Sequence, residues 1–65
     1  MNWDQIAGTW KEVSGKARAR WGEITDDEWT QAKGHRDQMV GLIQNRYGKA
    51  KEEAERELDE WRKEL

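Results

Sequence analysis

Four basic side chains, Lys11, Lys16, Arg18 and Arg20, share a short stretch with Trp3, Trp10 and Trp21. Lysine and arginine neutralise phosphates and indole rings stack on bases, so this mixture has the chemistry of a single-stranded nucleic-acid binder. It also suits a helix lying apolar side down in an anionic membrane surface. A third reading needs no partner: the tryptophans form a core and the bases a solvated face. The third is favoured, because the tryptophans share one narrow helical arc, the net charge is -2 and the last segment is acidic. Contact with nucleic acid or an anionic surface through Lys11, Lys16, Arg18 and Arg20 stands as the rival expectation.

Other reactive residue types are sparse. His35 is the one side chain whose ordinary pKa lies near neutrality, and Asp37 is close in sequence. With no cysteine, no second histidine and no nucleophile beside a base, they make no catalytic set, and His35 reads as a surface residue near a helix start. The acid run Glu23, Asp26, Asp27 and Glu28 lacks the spacing and glycine of a calcium loop, and helix capping accounts for it. The expectation is no enzyme, no cofactor and no metal.

The elements that carry these residues are helices. Charged residues make up 40 % of the chain and mean hydropathy is -1.34, which leans toward disorder. Five tryptophans argue for a core, since each can bury roughly 150–250 Å². At about 100° per residue, Trp3, Ile6, Trp10, Val13, Ala17 and Trp21 fall within an arc of about 80°, predicting a helix over 3–21 with Asn2 as cap and Gly22 as a left-handed stop. Thr25 and Glu28 have capping-box spacing, and Ile24 with Trp29 forms a hydrophobic staple, predicting a short helix over 26–32 that Gly34 interrupts. Met39, Val40, Leu42, Ile43 and Tyr47 predict a third helix over 35–47, stopped by Gly48. Ala50, Ala54, Leu58, Trp61 and Leu65 predict a fourth over 49–64. Its outer face offers the pairs Glu52–Arg56, Arg56–Glu60 and Asp59–Lys63.

All six glycines lie on a seven-residue lattice: Gly8, Gly15 and Gly22, then Gly34, Gly41 and Gly48. The segments Gly15–Gly22 and Gly41–Gly48 both end in arginine, an aromatic residue and glycine, which suggests two helix–turn–helix units, 1–33 and 34–65. Glycine inside a helix costs roughly 0.8–1 kcal/mol against alanine. Gly8, Gly15 and Gly41 fall outside the apolar arcs, on outward faces, and are candidate contact positions for a partner or points of looseness.

Taken in order, Gly8, Trp10-Lys11, Gly15-Lys16, Trp21-Gly22, Thr25-Asp26-Asp27, Gly34, Arg36-Asp37-Gln38, Gly41, Ile43-Gln44 and Tyr47-Gly48 make the chain resemble the CsbD-like family of small bacterial stress-response proteins along nearly its whole length. The resemblance implies a four-helix fold of two helical hairpins, crossing rather than parallel, and induction under general stress. It brings no catalytic residue and no ligand. His35 and Leu42 stand where the family pattern leads one to expect lysine, which removes positive charge from the third helix. The expectation is therefore one all-α domain over 1–65, a cytoplasmic monomer without a transmembrane segment. It acts in stress by binding or protecting other molecules. The alternatives are the nucleic-acid module and a partly disordered protectant.

Overall fold

In a computed structural model describing residues 1–65, the chain is all-helical, with five helices: α1 (Trp3–Gly8), α2 (Trp10–Arg20), α3 (Asp26–Ala32), α4 (Arg36–Tyr47) and α5 (Lys51–Glu64). The expected count was four. The difference lies at Thr9, which leaves helical geometry at φ -117°, ψ 27° and divides the helix expected over 3–21. Its Oγ1 donates to the Gln5 carbonyl at 2.9 Å, the back-bond that bends helices. Periodicity could not show this break, because the core phase continues across it: Ile6 and Trp10 are both buried.

The capping signals are realised. Asn2 and Gln5 bond reciprocally, side chain to backbone N–H, at 2.8 and 3.0 Å. Thr25 and Glu28 do the same at 3.2 Å each way, and Ile24 and Trp29 beside them are both buried. Gly48 stops α4 at φ 64°, its N–H donating to the Gln44 carbonyl. Gly22 differs from expectation: the left-handed glycines are Gly34 and Gly48 alone, and α2 ends through Trp21 at φ -118°, ψ 72°. Two successive left-handed residues, Lys33 at φ 54° and Gly34 at φ 77°, turn the chain from α3 into α4. α5 starts two residues later than the expected 49, with Ala50 extended at its head.

Fourteen hydrophobic residues form the core, and Gly34 is the fifteenth buried residue. Four tryptophans run through it in a chain of contacts. Ring centroids are 6.0 Å apart for Trp10–Trp29, 5.8 Å for Trp21–Trp29 and 5.5 Å for the edge-on pair Trp21–Trp61. Trp10 Nε1 donates to the Trp29 carbonyl at 2.6 Å, fixing α2 on α3 inside the core. Trp3 is only half-buried. With no phenylalanine and three leucines, the chain gives tryptophan the largest share of the core volume of any residue type.

The ion pairs expected along α5 do not close; all five pairs join different parts of the chain. Arg36 on α4 reaches Glu55 at 3.2 Å and Asp59 at 3.4 Å on α5. Its side chain is 29 % exposed, so its charge is less screened by water than that of a fully exposed base on α5. That makes it the better partner for those carboxylates.

Candidate functional site

The four bases of the expected cluster do not form one surface. At about 100° per residue, Lys11 and Arg18 fall on one flank of α2, and Lys16 and Arg20 on the other, about 140–180° away. Arg18 forms an ion pair with Asp26 in the first turn of α3. Arg20 lays its guanidinium 5.7 Å from the Trp21 ring centroid. Lys16 and Arg20 line a groove of about 340 Å³ between α2 and the end of α5, together with Ala19, Trp61, Glu64 and Leu65. The structure thus brings two of the four bases together. Lys11 is exposed apart from them.

The outward glycines are outward. A Cβ on Gly8, Gly15 or Gly41 would meet nothing within 4 Å. Gly8 closes α1 and Gly15 lies in mid-α2. Gly41 lines a second groove, of about 360 Å³, with Asp37, Val40, Gln44, Lys51 and Glu55 between α4 and α5. His35 precedes α4 and makes no side-chain cap bond. No three His, Cys, Asp or Glu side chains come together as a metal site. No helix is long and apolar enough to cross a membrane.

One polar cluster had no counterpart in the sequence reading. The turn after α2 and the first turn of α3 are fastened to α4 and α5 by three contacts. Trp21 Nε1 donates to Glu57 Oε1 at 3.3 Å, and Glu57 also takes Lys49. The Glu23 N–H donates to the Tyr47 hydroxyl at 3.2 Å. Arg46 Nη2 donates to Glu28 Oε1 at 2.6 Å. These partners lie 36, 24 and 18 residues apart for Trp21–Glu57, Glu23–Tyr47 and Glu28–Arg46, beyond any local pattern. Only the capping box marked one of them, Glu28, and for a different role.

The clasp makes stability depend on pH. The Thr25 backbone N–H, with help from the Thr25 hydroxyl and Arg46, holds the Glu28 carboxyl below its ordinary value of 4.5. Burial pushes Glu57 up, but the bonds from Lys49 and Trp21 outweigh it and leave that carboxyl lowered too. The bond to Glu57 holds Lys49 above its ordinary 10.5. Carboxyls lowered by folding stabilise the fold fully above their unfolded value, about 4.3, and lose that contribution as pH falls through the folded values. The raised lysine stabilises below its ordinary value and is lost as pH rises through the folded one. Urea midpoints are therefore expected to be flat between about pH 5 and 10 and to fall on either side. Glu57→Gln should lower the midpoint at pH 7 and make the acid fall shallower. An acid fall as steep as in the parent would contradict the clasp.

Fold and surface together define a small helical domain with a tryptophan core and charged grooves. The chain belongs to the CsbD-like family, whose model matches residues 4–56. A UPF0337 protein of Bordetella pertussis is 56 % identical over 61 residues, covering 94 % of this chain and 92 % of its own length. UPF0337 protein YjbJ of Escherichia coli K12 is 49 % identical over 61 residues, covering 94 % of this chain and 88 % of its own. The corresponding UPF0337 protein of Pectobacterium atrosepticum is 54 % identical over 61 residues, covering 94 % and 88 %. No solved structure matches the chain.

Proposed function

We propose that this protein serves the general stress response as a cytoplasmic monomer that binds or shields other molecules and performs no catalysis. The stress role rests on the family resemblance. The mode of action rests on one observation, the sharp division between core and surface. No polar or charged residue is buried, and Met1, at 41 %, is the only large hydrophobic residue standing exposed. A surface of mixed charge with so little apolar area stays hydrated and resists self-association at high concentration, which shielding requires. Gly8, Gly15 and Gly41 are places where a partner's backbone would meet no side chain.

The nucleic-acid alternative rested on one basic face of the first helix. Its four bases lie on two flanks, with Arg18 already paired, so that argument no longer favours it. The disordered alternative rested on the glycine-bearing helices, and Gly15 and Gly41 lie inside continuous helical turns.

The test is protection of a drying-sensitive reporter enzyme by the purified protein. Recovered activity should rise with dose above that given by an equal mass of an inert globular protein. Deleting the gene should also lower survival of the bacterium after the same stress. No advantage in either assay would overturn the reading.

A further inference from the structure

We propose that the groove between the C-terminal halves of α2 and α5 binds a small amphiphilic monoanion, its head between Lys16 and Arg20 and its apolar body on Ala19, Trp61 and Leu65. The proposal stands on the groove alone and does not need the stress role.

Charge carries the first part of the argument. Lys16 and Arg20 are one helical turn apart on the same flank, so they repel each other. Arg18, Arg36, Arg46 and Lys49 all close ion pairs, whereas Lys16 and Arg20 close none. Glu64 lines the same groove and is bonded to neither. Arg20 is held over the Trp21 ring, which fixes its guanidinium without neutralising it. Two cations against one carboxylate, Glu64, leave the rim net positive, which favours a negative group there.

The apolar lining carries the second part. Trp61 is buried and its ring packs edge-on against Trp21, so the floor is rigid and continuous with the core. Ala19 and Leu65 are the other apolar residues of the lining. At about 340 Å³ the groove lies at the small end of ligand sites, which run roughly 300–1,000 Å³. Glu64 and the acid-rich α5 set the upper limit on charge: a polyanion such as DNA would run along like-charged surface, whereas one small head group can sit between Lys16 and Arg20 with Glu64 as the one acid of the lining.

Naphthalene-2-sulfonate is a probe of this size and charge. Titrated into the full chain at pH 7 and followed by amide and indole NMR shifts, it should saturate and move residues 16–20 and 61–65. Lys16→Gln and Arg20→Gln should each weaken binding about five- to tenfold. Lys11→Gln and Arg18→Gln, on the other flank, should leave it unchanged. These are exposed positions, so all four variants should keep the helical spectrum that shows them folded. The neutral analogue 2-naphthol should bind more weakly than the sulfonate. The proposal fails if shifts rise without saturation, if the neutral probe binds equally well, or if Lys11→Gln and Arg18→Gln weaken binding as much as the groove variants. It also fails if a single-stranded oligonucleotide displaces the probe and depends on all four bases.

Discussion

Gly34→Ala is expected to lower stability by about 2–5 kcal/mol, the largest loss from any single added methyl group in this chain. Two effects combine. Gly34 sits at φ 77°, where an L-residue costs roughly 1–2 kcal/mol. A Cβ there would also lie 2.8 Å from the Ala7 Cα, 3.1 Å from the Ala7 N and 3.1 Å from Trp10 Cε3. Two of these neighbours are backbone atoms of α1, so the clash moves a whole helix, and such overpacking costs roughly 1–3 kcal/mol. A domain of this size holds only about 3–10 kcal/mol in total, so the variant should be largely unfolded in mild urea. Gly48→Ala isolates the first effect. Gly48 has φ 64° but nothing within 4 Å of its Cβ position, and about 1–2 kcal/mol is expected. Urea denaturation followed by tryptophan fluorescence measures both. Equal losses at the two sites would mean that the approach of α1 to Gly34 is looser than described.

Gly15→Ala and Gly41→Ala together are expected to do the reverse and stabilise the fold by about 1.6–2 kcal/mol. Each lies inside a helix with nothing within 4 Å of its Cβ position. Alanine there gains roughly 0.8–1 kcal/mol of helix propensity, largely by restricting the unfolded chain. For a domain of this size that is a rise in melting temperature of about 6–16 °C. Calorimetry on the double variant decides it, and an unchanged or lower melting temperature would show that these faces are not open. If the stabilised variant also loses its protective effect, the glycines serve contact or looseness. If it protects equally well, they have no such role.

The pair of predictions shows where the sequence was legible. Helical phase placed Gly15 and Gly41 outside the core correctly, because phase depends only on spacing along one helix. It read Gly34 as a break, which it is, but gave no sign that Ala7 of α1 and Trp10 of α2 come down on it. The capping box at Thr25 and the stop at Gly48 were legible for the same local reason. The break at Thr9 was not, since a bend that keeps core phase leaves the apolar pattern intact. The basic cluster was weighed as one face of the first helix, although the phases of its four bases already separate them into two pairs. The Lys16–Arg20 groove required α5, whose end packs beside α2 only after the whole chain has turned back.

The most extensive helix packing joins consecutive elements, α4 with α5 and α2 with α3, followed by α3 with α4 and α1 with α2. Little chain must be looped out before each contact forms. Helical domains with such local wiring fold in microseconds to milliseconds, the quick end of the range for small domains. A thinly stable protein with this topology keeps its tryptophans exposed only briefly each time it unfolds. Speed of return then offsets some of what it lacks in depth of stability.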